Sequence, residues 1–381
     1  MRAALILPAL LFAAPSAAQE RPEWAGVWEG RVGSYPVRLC IDAYGGPARG
    51  AYYYLSRLDP IAITEEDGEG GWIEKTPEGE YSALWEFVEQ TGRELRGTWR
   101  QGRRSLPFNL APLTWTAGEY SGPCSSDAFL GPRIAGGEVL EEPTELDGWR
   151  YTAQTYRPPP HFAEEVDLES FTFSPERPGD ARILAELAQG LPTGEHLATY
   201  LQCMGDNISV HGTDGDYWTS SKPVFASGNW LTTMESYDMY CGGAHPSHGF
   251  YHRTFDRMSG EELDPARWFN ESAVEYQAVS GGEEGYFKIL PPLAELIIAR
   301  GPSDAEPTDG PAEREFFLEE CRDALSTWSW RFGLSRAGLL AVPVVPHAYG
   351  PCRATFTVPW EELDPFLNDE GHAGLARLRR D

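Results

Sequence analysis

The chain has 381 residues, of which 58 are Asp or Glu and 31 are Lys or Arg, for a formal net charge of −27 at pH 7. Its hydrophobic content of 41%, with 12% aromatic residues, excludes a disordered chain, and its length favours two or three domains. The negative charge excludes nucleic acid and anionic membrane surfaces as partners and favours cationic ones. Solubility alone would also explain this charge, so it identifies no partner.

The first residues have the pattern of a secretory signal peptide. Arg2 precedes an apolar run from Ala3 to Ala14, and small residues up to Ala18 predict cleavage after that position. The run is shorter than the roughly 20 apolar residues of a transmembrane helix, and no later segment approaches that length. The sequence therefore predicts a periplasmic or secreted protein without a membrane span.

All six cysteines follow the predicted cleavage point. An even number of cysteines in an exported chain indicates disulfides before it indicates a metal site. We predict structural disulfides among Cys40, Cys124, Cys203, Cys241, Cys321 and Cys352.

Residues 24–110 show short strand patterns separated by glycine-rich turns. Val37, Leu39 and Ile41 alternate with other residues and would share one face of a strand. The predicted strands cover 26–32, 35–41, 50–55, 80–88, 94–100 and 105–110. This pattern predicts a small all-β domain, an antiparallel barrel or sheet with protected edges.

Residues 116–147 are rich in glycine, proline and acids and lack sustained periodicity, which is typical of a linker. Cys124 lies there, and a bridge to Cys40 would hold the linker against the β domain. The predicted division of the chain is a signal peptide at 1–18, a β domain at 19–115, a linker at 116–147 and a second domain at 148–381.

Helical and strand-like patterns alternate beyond Trp149. Predicted helices cover 180–191, 286–301 and 313–328, the second interrupted by two prolines. Predicted strands cover 207–212, 229–240, 250–257, 338–345 and 353–360. Because no regular βαβ repeat is present, the second domain is predicted to be α+β and the whole protein multi-domain.

The stretch YCGGAHPSHGFYH, which ends at His252, has one cysteine and three histidines at spacings that would suit metal ligands on a helix. Its glycines and proline oppose a helix, since Gly costs about 1 and Pro about 3 kcal/mol in a helix interior. On a strand, His248 and His252 would stand about 13 Å apart, too far to share a zinc ion. We therefore predict a turn, a bridge from Cys241 to Cys203, and no metal site.

Several motifs in the second domain carry a family resemblance. These are GGAHP after a long strand, then FDRMSGEELDPARWF at 255–269, and the ending GLSRAGLLAVPVVPHAYGPCRATFTVPWEELDPFL at 333–367. In this order they resemble a bacterial extracytoplasmic family of domains of unknown function. That family includes the lysozyme-binding domain of the anti-sigma factor RsiV and a domain appended to the peptidoglycan deacetylase PdaC. The resemblance covers roughly residues 148–370.

The resemblance implies an α+β fold and a ligand that is a protein or a cell-wall component. The chain shows neither the membrane anchor of an anti-sigma factor nor a deacetylase domain, so those activities do not carry over. The residues predicted to contact a ligand lie at loop tips and are His245, Pro246, His248 and Tyr349.

No enzyme motif is found, since G-x-S-x-G, H-E-x-x-H, a P-loop and a dinucleotide fingerprint are all missing from the sequence. Acid clusters at 65–67 and 141–145 could supply the carboxylate pair of a glycosidase. With 58 acids, chance pairs are expected, and solvated turns explain these clusters better. We predict no catalytic residue and no cofactor.

Most of the 13 tryptophans sit at alternating strand positions and are predicted to be core residues. Trp328 and Trp330 are two apart on a predicted helix, so they should splay and one should be exposed.

The leading hypothesis is an exported, disulfide-bonded, non-enzymatic binding protein whose partner is a cationic protein such as lysozyme, or a cell-wall component. The alternative is an envelope hydrolase that acts on glycan or peptide with a carboxylate pair.

Overall fold

A computed structural model describes residues 21–43, 47–66, 71–76, 80–116, 122–192, 200–277, 286–303, 319–322, 325 and 329–380. The predicted signal peptide and most of the predicted helix at 313–328 lie outside these residues. The described part of the chain forms a barrel followed by three further sheets and a few helices, the multi-domain α+β arrangement predicted from the sequence. None of its helices is long and apolar enough to cross a membrane.

The first part is a closed barrel of eight antiparallel strands in which each strand pairs with the next and the last pairs with the first. Its strands are β1 Gly26–Val32, β2 Tyr35–Asp42, β3 Arg49–Tyr54, β4 Ile61–Glu65, β5 Gly71–Lys75, β6 Tyr81–Gln90, β7 Leu95–Gln101 and β8 Arg104–Leu113. The predicted barrel is therefore confirmed. Strands β4 and β5 were not predicted, because each has only five residues and acidic turns border both.

The barrel interior is filled by large aromatic side chains, including Trp28, Trp72 and Phe108. Glu74 is buried among them, only 3% exposed. Its carboxylate accepts hydrogen bonds from Tyr52 Oη at 2.6 Å, Trp85 Nε1 at 3.0 Å and Ser82 Oγ at 3.2 Å, and from the indole of Trp99. Both carboxyl oxygens of this buried acid thus have hydrogen-bond donors, as a polar group inside an apolar barrel requires. Burial, reinforced by the charge of Glu74, raises the pKa of Tyr52.

The segment predicted to be a linker holds regular structure. A 3-10 helix at Pro123–Ser125 is followed by helix α1 Asp127–Ile134 and strand β9 Glu138–Leu146. The sequence gives little sign of strand β9 because none of its side chains is buried, so apolar residues do not alternate along it. The division of the chain into domains remains a prediction.

The central element is a seven-stranded sheet in the order β15-β14-β13-β12-β11-β10-β9. Its strands after β9 are β10 Trp149–Arg157, β11 Val166–Thr172, β12 Asp216–Ala226, β13 Trp230–Tyr240, β14 Ser247–Asp256 and β15 Glu261–Leu263. Only β11 and β12 run parallel among these neighbours. A parallel pair needs a long crossover, which here carries helices α2 Asp180–Leu187 and α3 Leu201–His211.

The strand predicted at 207–212 is wrong, because these residues complete α3 and its end. Cys203, Met204, Asn207 and Ile208 are buried at helical spacing. Gly212 ends the helix with a φ of 76°, and a Cβ there would lie 2.3 Å from that of Ala62 in the barrel. Glycine is therefore required both by the left-handed backbone and by the close approach of the barrel.

The last part of the chain packs against one end of the sheet. It contains the hairpin β16 Val274–Gln277 and β17 Tyr286–Ile289, the sheet of β18 Trp330–Leu334, β19 Gly338–Pro343 and β20 Phe356–Pro359, and helices α4 Pro291–Arg300, α5 Trp360–Leu363 and α6 Asp369–Leu378. The helix predicted at 286–301 is a strand and then a helix. Pro291 and Pro292 begin α4 instead of interrupting it, since proline is favoured in the first turn.

A shared core joins the barrel to the sheet. Apolar residues of the barrel, of α1, of β11 and of α3 pack into one buried cluster. Arg38 of the barrel donates to the carbonyl oxygen of Ala128 at 2.7 Å, and Tyr53 Oη donates to that of Phe129 at 2.5 Å. The segment after the barrel therefore lies between barrel and sheet and contacts both.

The structure contains three disulfides, so the predicted use of the cysteines is confirmed. Cys40 pairs with Cys124 and Cys203 pairs with Cys241, as predicted, and the third bridge joins Cys321 to Cys352. The first ties the barrel to the following segment. The second ties α3 to the chain directly after β13, which places the start of the GGAHP turn.

Candidate functional site

One row of side chains crosses the seven-stranded sheet on a face that is open to solvent. Trp218 on β12 is in register with Asp167 on β11 and with Asp238 on β13, and Asp238 is in register with His248 on β14. Residues in register on neighbouring strands project from the same face, about 5 Å apart. The fold therefore places an indole ring between two carboxylates.

Asp167, Trp218 and Asp238 line a groove of about 270 Å³, which we call the acidic groove. Trp218 is 49% exposed there, although it is one of the largest apolar side chains of the protein. The full lining is Asp167, Glu169, Trp218, Thr219, Ser220, Lys222, Met234, Ser236, Tyr237 and Asp238. An indole at the surface of a concave site is available to a ligand, whereas the indoles of the barrel are enclosed.

The charges of the groove are predominantly negative. Lys222, the one cation among its lining residues, lies 2.6 Å from Glu169 and so is already paired. Burial alone would raise the pKa of Glu169, but hydrogen bonds from Lys222 and Ser220 outweigh it and lower that pKa. The other two acids of the lining, Asp167 and Asp238, flank Trp218 and give its surroundings a negative charge.

The surroundings also raise the pKa of two acids in or near this row. Partial loss of water in the groove, together with the charge of Glu169, raises the pKa of Asp167, and Lys222 opposes this shift. Burial and the charge of Asp238 raise the pKa of Asp216, two residues before Trp218. At Asp167, burial and the neighbouring carboxylate therefore outweigh the one ammonium of the groove.

A larger depression of about 670 Å³ lies on the barrel. It is lined by Glu23, Glu89, Glu94 and Arg93 but by no aromatic ring. Glu89 and Glu94 already pair with Arg96. We therefore regard the acidic groove as the better candidate site.

Beside the groove, three histidines form what we call the histidine cluster. The rings of His245 and His347 stack with centroids 4.8 Å apart, and the ring of His248 meets that of His347 edge-on at 4.9 Å. Arg353 holds the two chain segments together by donating to the carbonyl oxygens of His248 at 2.8 Å and Val345 at 3.1 Å. The turn after β13 and the turn at 347–352 thus meet at one end of the row.

The structure brings His245 and His248 together with the turn that carries Tyr349, although these residues lie about 100 positions apart in sequence. His245, Pro246 and Tyr349 are exposed, the last by 45%. Their predicted contact with a ligand remains a prediction. His252 is buried four residues further along β14 and does not join the histidine cluster.

Within the described residues, no group of three or more His, Cys, Asp or Glu side chains is arranged to hold a metal ion. The expectation about Trp328 and Trp330 is only partly testable, because Trp328 lies outside those residues. Trp330 is on strand β18 and buried. Trp218 and His347 were not predicted from the sequence to be site residues. The alternation of Asp216, Trp218 and Ser220 in DYWTSS could have indicated that Trp218 lies on a polar strand face.

Comparison with known proteins does not identify a function for the chain. No protein-family model and no curated protein matches the sequence. A solved DUF3298 family protein from Pseudomonas aeruginosa PAO1 is similar at 13% identity, over 61% of this chain and 94% of that one, with a TM-score of 0.32. A DUF3298 member from Bacteroides fragilis NCTC 9343 is similar at 13% identity, over 62% and 94%, with a TM-score of 0.37. Likenesses this low carry no argument about function, and the resemblance to RsiV remains a prediction.

Proposed function

We propose that this protein is an exported, non-enzymatic binding protein whose partner is a cationic protein, with lysozyme as the leading candidate. The observation that carries the proposal is the half-exposed Trp218 set between Asp167 and Asp238 on an open sheet face. An exposed indole offers a ligand apolar area and the face of its ring, and carboxylates on both sides select for positive charge.

The scaffold supports this role. Three disulfides and a core shared by the barrel and the sheet hold the groove in place before a partner arrives. A preorganised surface loses less conformational entropy on binding. The net charge of −27 would also steer a cationic partner toward the protein at low ionic strength.

Calorimetry with a cationic lysozyme at low and moderate salt tests the proposal. We expect saturable binding that weakens as salt increases, because the attraction between exposed charges is screened. The variant D167N/D238N should bind at least about tenfold more weakly, the loss expected from two charge-assisted contacts. The variant E80Q/E145Q removes the same charge at exposed positions outside the groove and should bind like the parent. No binding at tens of micromolar in low salt would reject lysozyme as the partner.

The alternative is a hydrolase that uses the same two acids. Asp167 and Asp238 stand on either side of Trp218, about 10 Å apart between their Cα atoms, and inverting glycosidases use a carboxylate pair about 6.5–9.5 Å apart. Turnover of cell-wall fragments that disappears in both D167N and D238N would replace the binding proposal by this one. Absence of turnover, together with lysozyme binding, would support the binding protein.

A further inference from the structure

Two buried arginines of this protein are each bound by an aromatic ring and a carboxylate, and the acidic groove has the same two kinds of group. Arg133 lies over the ring of Phe162, 4.5 Å from its centroid, and donates to both oxygens of Asp214 at 2.6 Å. Arg257 lies 5.9 Å from the ring centroid of Trp149 and donates to both oxygens of Asp180. In each case an aromatic face and a carboxylate hold one guanidinium.

The groove offers the same combination without an arginine among its lining residues. Trp218 provides the aromatic face, and Asp167 and Asp238 stand on either side in register. We propose that the acidic groove is a subsite for one arginine side chain of the partner, whose guanidinium stacks on Trp218 and donates to Asp167 and Asp238. This inference rests on the proposed function and specifies which group of the partner is recognised.

The geometry favours arginine over lysine. A guanidinium is planar, so it can lie flat on an indole while its N–H groups point outward in the plane toward carboxylates on both sides. Two strand spacings, about 10 Å between the Cα atoms of Asp167 and Asp238, leave room for such a planar donor. An ammonium is a compact point charge without a flat face, so it fits the ring and both acids less well.

The remaining lining residues limit the site to one cation. Lys222 Nζ lies 2.6 Å from Glu169 Oε2, so the ammonium largely neutralises the charge of this carboxylate. The volume of about 270 Å³ suits one side chain. The partner therefore presents a single arginine to the groove.

The test uses the whole protein with ¹⁵N-labelled indoles, observed by NMR. The chain has 13 tryptophans, and the resonance of Trp218 is assigned by its loss in Trp218→Phe. The ligands are a blocked Gly-Arg-Gly peptide, its lysine and citrulline analogues, and an oligomer of N-acetylglucosamine. Citrulline has nearly the shape of arginine and no charge.

We expect the arginine peptide to shift the Trp218 resonance saturably and the citrulline peptide to leave it unchanged. The lysine peptide should bind at least several-fold more weakly. Asp167→Asn and Asp238→Asn should each weaken binding of the arginine peptide about fivefold, and Glu145→Gln should not. The other indole resonances report that each variant is folded.

Equal shifts from arginine and citrulline, or an unmoved Trp218 resonance, would overturn the inference. A shift caused by the sugar oligomer alone would identify a glycan subsite and overturn it as well. The two proposals fail separately. If Trp218→Ala still binds lysozyme, the arginine subsite is wrong but the proposed binding function stands. If the arginine peptide binds but lysozyme does not, only the identity of the partner is wrong.

Discussion

Arg133 and Asp214 form a bidentate ion pair that is almost completely buried, with 0% and 7% of their side chains exposed. Arg133 lies in the last turn of α1 and also donates to the carbonyl oxygen of Leu58 in the barrel at 2.6 Å. Asp214 lies two residues before β12. One side chain therefore connects the barrel, the segment after it and the sheet that carries the acidic groove.

Replacing Arg133 by Met should destabilise the protein by about 3–5 kcal/mol, because Asp214 would be left as a buried charge without a partner. The double variant R133M/D214L should be less destabilised than the single one, since neither charge remains buried. Thermal unfolding measures both. Arg157→Met is the matched control, because its ion pair with Glu138 is exposed and should be worth less than about 1 kcal/mol. Equal losses from R133M and R157M would contradict this account.

The bridge between Cys40 and Cys124 closes the longest loop of the three disulfides, with a sequence separation of 84. Replacing both residues by Ala should reduce the free energy of unfolding by about 4–5 kcal/mol, chiefly because the unfolded chain gains conformational freedom. Replacing Cys203 and Cys241, with a separation of 38, should cost up to about 1 kcal/mol less. Denaturant unfolding under non-reducing conditions compares the variants. A loss below about 1 kcal/mol for the first pair would show that the shared core alone holds the barrel in place.

Glu74 should be required for a stable barrel although it is an acid buried among aromatic side chains. Glu74→Ala would leave the hydroxyl of Tyr52 and the indoles of Trp85 and Trp99 without an acceptor inside the barrel. The expected loss is about 3–5 kcal/mol, from several buried donors that are no longer satisfied. Glu80→Ala, at an exposed position just before β6, should change stability by less than about 0.5 kcal/mol. Circular dichroism during thermal unfolding would detect the difference, and a stable Glu74→Ala barrel would contradict the role assigned to this acid.

Glu235 should make stability depend on pH. Burial raises its pKa, against the lowering effect of the hydrogen bonds from Thr233 and Ser221. Because the folded-state pKa is above the unfolded one, the folded protein binds more protons between the two values. The contribution of Glu235 to stability is therefore complete below the unfolded pKa and is lost as pH rises through the folded pKa.

Glu235→Gln removes this ionisation, so its stability relative to the parent should improve as pH rises from about 4 to about 7. Unfolding in a series of buffers measures the difference, and Glu145→Gln on the exposed edge strand is the control. A constant difference across that range would mean that Glu235 titrates alike in the folded and unfolded states.

The barrel was predictable from the sequence because its signals are local. Val37, Leu39 and Ile41 alternate along β2 and are all buried, and glycine-rich turns separate most of the strands. The pairing of Cys40 with Cys124 followed from their positions at the barrel and directly after it. By contrast, α3 was read partly as a strand, because Ile208 and Val210 are β-branched and favour strands in isolation. Burial of Cys203, Met204 and Ile208 at helical spacing outweighed that local preference.

By itself, the sequence determined the properties that depend on composition and neighbouring residues: disulfide bonding, a β-barrel and an acidic net charge. It could not show the acidic groove, because Asp167, Trp218 and Asp238 belong to three strands whose register is set by packing over the whole sheet. The meeting of His245 and His248 with His347 likewise depends on two turns far apart in sequence. Exposure of Trp218 follows from which part of the sheet remains uncovered, and only the tertiary structure decides that.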